Sequence, residues 1–475
     1  MGIRTKLTLR LINKECRGCI DKLLRSRQRS ISLRHDLLLS EDHLVGYAYS
    51  TTTLVNNLIR VRTTIEPRNI SVVDLRSASR MLLESNVIEA LGVANYPNLF
   101  AVYLGGNDLT VRAFAAMDKA FSCRLRILDI SDTIPAIDED NDDVYETDAN
   151  ATILMRFQAL HSSLRLMSLL EEVYICNLPM FDLWADALYN KPNLRVLCAA
   201  GTNCANSNFN ELLCRHIVPS KLRVLSCDLV SKACESAALI RTIFSRFPAL
   251  AKLKLRLICV THSNGSCAMK TVFFDLVEKI KDDGSADHSY HLRRDLKIVD
   301  LNGSNTVDDM AISCVAKLCP QCETLCVSGC LFKRPETFQT GFASLRRLDL
   351  SANDRLSDNV LSQILMYLPI LVELKVRSCM RLKGRFLNND IASKYNNSLE
   401  SIDVSFCDFL QHEIELFLCS FRRSSYGTAD SDRNNSLGTL RKLTVFVDFS
   451  RYAEWVLRQS ASSISGDIKF IVTTR

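Results

Sequence analysis

Apolar residues recur in this chain as one short phrase, filled at its first, fourth and sixth positions. The clearest copies are Leu345-Arg346-Arg347-Leu348-Asp349-Leu350, then Leu371-Val372-Glu373-Leu374-Lys375-Val376, then Leu399-Glu400-Ser401-Ile402-Asp403-Val404. The fourth and sixth positions alternate with polar ones, which is the period of a half-buried strand. Between copies the period changes. Residues Asn359 to Leu368 place Val360, Leu361, Ile364, Leu365 and Leu368 on one stripe of a helix. One short strand and one helix, repeated, predict a solenoid in which each unit buries its apolar face against its neighbours.

The phrase can be followed along most of the chain. Its first copy is Ile70, Val73 and Leu75. Then come Leu99, Val102 and Leu104; Leu125, Leu128 and Ile130; Leu170, Val173 and Ile175; Leu194, Leu197 and Ala199; and Leu222, Leu225 and Cys227. Leu250, Leu253 and Leu255 follow, then Leu296, Val299 and Leu301, then Cys322, Leu325 and Val327. After the three clearest copies comes Leu440, Leu443 and Val445, and Ile468 to Ile471 is read as a closing strand. Most steps between first positions are 23 to 29 residues. That interval matches leucine-rich repeats. The expected fold is an α/β leucine-rich-repeat solenoid, a curved stack of strand–helix units with a parallel concave sheet.

Proline gives an independent check on the register. Pro97, Pro192, Pro248, Pro320 and Pro369 each stand two residues before a first position, so half of the ten prolines fall at one point of the cycle. Proline cannot continue a helix, and it biases the preceding residue towards extended backbone. Each is expected to end a helix and launch the next strand.

Three steps are too long and predict insertions, over 131–152, 259–291 and 421–437, within a repeat region spanning 60–475. The first is acidic, from Asp138 to Asp148, and reads as a solvated loop. Residues 1–45 fit the repeat poorly. Leu7 to Arg17 reads as a basic amphipathic helix and Arg29 to Leu33 as a short strand, which predicts a helical cap.

Composition bounds the remaining possibilities. Hydrophobic residues make up 47% and charged residues 24%, and the formal charge of +6 is small for 475 residues, so nucleic acid is not an expected partner. Met1 leads into polar and basic residues, with no apolar run of signal-peptide or membrane-spanning length. The expected setting is cytoplasmic or nuclear, with no membrane partner and with the nineteen cysteines as free thiols in the core.

Cys330, Cys379 and Cys407 each lie three residues past a sixth position. Asp308 and the pair Ser357-Asp358 stand at helix starts, and Cys319-Pro320 ends a helix. This pattern resembles the cysteine-containing subtype of leucine-rich repeats. The match is strongest from 296 to 410 and extends as repeats over about 60–475. That subtype is best known in F-box/leucine-rich-repeat proteins. There an F-box docks an adaptor of a cullin ubiquitin ligase while the repeats hold a substrate. Leu11, Ile12, Lys14 and Cys16, followed by the strand near Ile31, look like the tail of an F-box. Cys16 stands where the family commonly has Trp, and no Leu-Pro start precedes it. A truncated F-box, a degenerate one and a plain capping helix all remain open. The resemblance implies a substrate receptor of an SCF-type ligase in ubiquitin-dependent degradation. The alternative is an interaction scaffold with no ligase link.

Candidate chemistry is thin. Cys319, Cys322, Cys326 and Cys330 have metal-like spacing, yet the register sends Cys322 and Cys330 to the core and Cys326 to the opposite face. Cys259, His262, Cys267, His288 and His291 match no standard zinc spacing, and His412-Glu413 lacks a second histidine. No nucleotide loop or nucleophile elbow is present, so no enzyme, cofactor or metal is expected. Binding is expected on the concave face, through Lys252, Lys254, Arg256, Asp300, Arg347, Asp349, Lys375, Arg377 and Asp403, with Asn302, Ser351 and Ser405 on the same side. Neighbouring strands should set Lys254 beside Asp300, and Lys375 beside Asp349 and Asp403, in pairs worth about 0.2–1 kcal/mol each. The triplet Lys252, Lys254 and Arg256 is left with excess positive charge that could take an acidic or phosphorylated segment.

Overall fold

The computed structural model describes residues 30–32, 58, 67–76, 82–83, 85–92, 95–121, 124–136, 149–178, 185–204, 207–231, 233–259, 295–305, 307–330, 333–339, 341–386, 398–407, 442–446 and 469–473. The expected cap helix, with Leu11, Ile12, Lys14 and Cys16, lies outside them. So do His412 and most of the expected insertions at 259–291 and 421–437.

The chain divides into two compact units, Met1–Asp228 and Leu229–Arg475. In the first, strands β1 (Ser30–Ser32), β2 (Val72–Asp74), β4 (Ala101–Tyr103), β6 (Ile127–Asp129), β8 (Glu172–Tyr174), β9 (Val196–Asn203) and β10 (Val224–Ser231) pair in that order, all parallel. A second, short parallel sheet joins β3 (Leu82–Leu83), β5 (Asp108–Thr110) and β7 (Ile134–Ala136). Helices α1 (Ser85–Leu91), α2 (Val111–Phe121) and α3 (Ala149–Leu166) pack on one another in sequence. A short α4 (Ser207–Glu211) runs into a π-helical turn, Leu212–His216.

In the second unit, α5 (Ala233–Arg246) precedes β11 (Lys252–Cys259). Strands β12 (Ile298–Asp300), β13 (Thr324–Cys326), β14 (Arg347–Asp349), β15 (Glu373–Lys375), β16 (Ser401–Asp403), β17 (Lys442–Phe446) and β18 (Lys469–Thr473) follow, each parallel to the one before. Helices α6 (Asp309–Leu318) and α7 (Asp358–Met366) stand between strands. Each unit is thus a run of leucine-rich-repeat solenoid with an open parallel sheet.

The phrase predicts the core well. From Ile70 to Val404, every first, fourth and sixth position is at most 3% exposed. The residue before each of the five phased prolines is buried too: Tyr96, Lys191, Phe247, Cys319 and Leu368. Asp308 and Ser357 cap α6 and α7, accepting from the backbone N–H groups of Ala311 and Val360.

Two expectations need correction. The insertion expected over 131–152 is narrower, because its ends form β7 and the start of α3. The repeat after Val327 carries a 3₁₀ turn, Pro335–Phe338, in place of an α-helix. Proline at its first position and a short step of 23 residues leave room for one turn only. The next chain segment approaches the preceding helix so closely that a Cβ on Gly341 (φ 98°) would lie 2.6 Å from the Ala316 carbonyl oxygen.

Candidate interaction surface

Most repeats share one turn after the strand phrase, β10 and β11 running on past it instead. The residue two past the sixth position has positive φ in nine repeats: Gly106, Asp132, Asn177, Gly201, Gly303, Gly329, Ala352, Ser378 and Phe406. This left-handed step folds the chain back toward its own sheet. It brings the residue three past the sixth position under the preceding repeat, where its side chain meets a buried carbonyl. Asn107 donates to Leu75 O at 2.9 Å and Thr202 to Ile175 O at 3.2 Å. In the second unit the series is unbroken over five repeats. Ser304 donates to Leu255 O, Cys330 to Leu301 O, Asn353 to Val327 O, Cys379 to Leu350 O and Cys407 to Val376 O, at 2.9–3.5 Å. These thiols are packing groups that also satisfy backbone acceptors.

The tempting cluster therefore disperses. Cys319, Cys322 and Cys330 are buried, Cys326 is half-buried on the sheet face, and Cys322 donates to Thr324 O at 3.2 Å. Burial pushes the Cys322, Cys326, Cys330 and Cys407 thiols up to about 12 and Cys379 to about 11, far from the range of a reactive thiolate nucleophile. Among the described residues, no three His, Cys, Asp or Glu side chains gather as for a metal ion. The histidines of the Cys259 cluster lie outside the described residues. Again among the described residues, no helix is long and apolar enough to cross a membrane.

On the open face of the second unit the predicted register holds. Lys254 pairs with Asp300, Asp349 with Lys375, and Lys375 with Asp403 across adjacent strands. Two ion pairs among the described residues follow it, Lys254–Asp300 at 3.8 Å and Arg347–Glu373 at 3.5 Å. The others run off it: Glu373 also takes Lys375 of its own strand (3.0 Å), and Arg377 reaches Asp403 (3.8 Å). Glu373 also holds the Lys375 ammonium above its usual range, chiefly through their hydrogen bond. Arg377 leans over the Phe406 ring, 5.7 Å from its centre.

The aspartates are less available than their place on the face suggested. Asp300, Asp349 and Asp403 each accept from the backbone N–H two residues on, at Asn302, Ser351 and Ser405. Those turns pull Ser351 and Ser405 out of reach, to 8% and 3% exposure, so neither is a contact residue. Ser351 Oγ instead accepts from Arg377 N, and Asn302 Oδ1 from Ser328 N, which locks each turn to the next. Lys252 and Arg256 are exposed, and the Arg256 methylenes pass over Gly303. The triplet is therefore split, with Lys254 partly neutralised.

The first unit carries a site that the sequence did not reveal. Arg76 binds Asp74 at 2.8 Å, reaches Asp129 at 3.8 Å and lies 4.7 Å over the Tyr103 ring, spanning three strands. Tyr174 donates to Glu172 at 2.9 Å. Burial raises the Asp129 carboxyl above its ordinary range even though Ser131 N–H and Arg76 pull it down. The available signal was the alternation of Asp74, Tyr103, Asp129 and Tyr174 at the fifth position of successive copies.

No family model matches the chain, and no curated protein does. Among solved structures, the chain is similar to one in the crystal structure of a Rad7 and Elc1 complex in yeast, at 14% identity and a TM-score of 0.47, covering 90% of this chain and 89% of that one. An internalin, inlF, from Listeria monocytogenes is similar at 12% identity and a TM-score of 0.37, covering 77% and 80%.

Proposed function

We propose that the chain is a non-enzymatic protein-recognition subunit, and that it serves as a substrate receptor of an SCF-type ubiquitin ligase in the cytoplasm or nucleus. One observation carries the recognition part. Strands β11 to β16 hold one register, so their third and fifth positions form two rows of mostly polar and charged, partly exposed side chains, about 4.8 Å apart from strand to strand. A rigid row of this kind fits a protein partner with complementary charge and sets its position without bond-making chemistry.

The ligase part rests on the likeness of Leu11, Ile12, Lys14 and Cys16 to the end of an F-box, and on the cysteine-type ladder at Cys330, Cys379 and Cys407. The second reading is a scaffold with the same partner face and no adaptor. Size-exclusion chromatography of the full chain with a purified cullin-ligase adaptor separates the two. The receptor reading expects co-elution that is lost when Leu11, Ile12 and Lys14 become Ala. Independent elution of both proteins would leave the scaffold.

A further inference from the structure

Positive charge gathers in the second unit at a place away from the strand rows. Lys333, Arg355 and Arg381 line one cleft of about 440 Å³. They stand six, five and five residues past the sixth positions Val327, Leu350 and Val376, so three successive repeats contribute one cation each. All three are exposed. The ion pairs of these repeats are made by other side chains, Arg347, Lys375 and Arg377, on the sheet face.

The nearest helix-start carboxylates are already committed to backbone. Asp309 Oδ1 accepts from Lys333 N (2.9 Å), Arg334 N (2.7 Å) and Thr337 Oγ1 (3.2 Å). Asp358 accepts from the N–H groups of Lys383, Gly384 and Phe386 at 2.8–3.0 Å. These bonds fix the backbone at Lys333 and just past Arg381, and they occupy two carboxylates that would otherwise compete for the cations. Three cations thus stand at the cleft against one neighbouring exposed acid, Asp354, and no ion pair is formed by them among the described residues.

We infer that this cleft binds a phosphorylated side chain in an extended segment of a partner protein. The reading rests on the chain's being a protein-recognition subunit. A phosphate ester carries close to two charges and three acceptor oxygens, which suits two guanidinium forks and one ammonium converging from different repeats. Single-stranded nucleic acid asks for something else, a longer basic track with aromatic platforms for the bases. Among the described residues, lysine and arginine line this cleft.

Calorimetric titration of the full chain tests the assignment, with a capped Gly-Gly-phosphoserine-Gly-Gly peptide and its unphosphorylated twin in low salt. The phosphopeptide is expected to bind saturably and the twin not to bind. R355A/R381A should weaken binding by about tenfold or more, and R355K/R381K by less, because the point charges remain. All these side chains are exposed, so the variants should keep the parent far-ultraviolet circular dichroism. Absence of phosphopeptide binding, equal binding of the twin, or unchanged affinity in R355A/R381A would each overturn the inference. So would a single-stranded oligonucleotide that binds more tightly through the same arginines. No adaptor enters this titration, so its failure is distinct from failure of the ligase reading.

Discussion

The two units use the same strand phrase and dress it differently. In the first, the third positions are mostly apolar (Val72, Ala101, Ile127, Val196, Val224), and the fifth run Asp74, Tyr103, Asp129, Tyr174, Cys198 and Ser226. One arginine, Arg76, ties three strands of that row. In the second, the third and fifth positions of β11 to β16 are mostly charged or polar, and the pairs zigzag along the sheet. Beneath both faces the same three positions of the phrase are buried. The phrase therefore dictates packing, and leaves the outward chemistry free to differ between units.

The buried donor position allows the sharpest test of what the phrase demands. Asn353 is 2% exposed and donates to Val327 O and Leu350 O, yet its own Oδ1 has no partner among the described residues. Cys379 does the same work with a weaker donor and strands no acceptor. N353A should lose about 1–3 kcal/mol in chemical denaturation, and C379A about 1 kcal/mol or less beyond its lost volume. If N353C equals the parent, a small donor is all the position requires.

Lys191 breaks the pattern of the first unit in a way that pH can read. It fills a core position held elsewhere by Tyr96, Phe247, Cys319 and Leu368, with Nζ donating to Arg165 O at 3.1 Å. Burial lowers its pKa from 10.5 to about 8. Between those values the unfolded chain binds a proton that the folded chain does not, so stability should rise with pH from about 8 to 10.5. Below about 8 both states are charged and this dependence vanishes. Denaturation of K191M across the same range should show no such rise.

The remaining effects are smaller. A352G should stabilise by about 0.5–1 kcal/mol, because Ala352 is held at φ 54° where glycine is unstrained. E373Q removes the charge behind both ion pairs of Glu373, and should cost under about 0.5 kcal/mol at low salt and nothing measurable at high salt. A larger loss from E373Q would mean that the charge lattice of the second unit is structural and not a free face.

Much of this was legible in the sequence, and the exceptions share a cause. Leu345, Leu348 and Leu350 are buried where the alternation put them, and Cys330 and Cys379 fell to the core by counting from the strand. The left-handed turn was half visible, since six of its nine residues are Gly, Asp or Asn. Ala352, Ser378 and Phe406 hide it, because nothing in their side chains asks for positive φ. The direction of each Asp349-type carboxylate was invisible. Whether it faces a partner or its own backbone depends on a turn two residues away and a strand some 26 residues away. The cations at Lys333, Arg355 and Arg381 were missed because they lie past the phrase, in loops with no period of their own.

The carboxylates that start α6 and α7 have a consequence for how the second unit comes apart. Asp309 and Asp358 reach forward to the loop of the following repeat, whereas Cys330, Asn353, Cys379 and Cys407 reach back to the preceding one. The junctions that hold Asp309 with Cys330, and Asp358 with Cys379, are therefore stitched from both sides, almost wholly through backbone groups. A repeat cut from the end nearer the N-terminus exposes a loop that has lost its anchor. One cut from the other end leaves an idle acid and a buried carbonyl that has lost its thiol or amide donor. Loss of a repeat from either end should accordingly weaken its neighbour, so this series should come apart in larger blocks than single repeats.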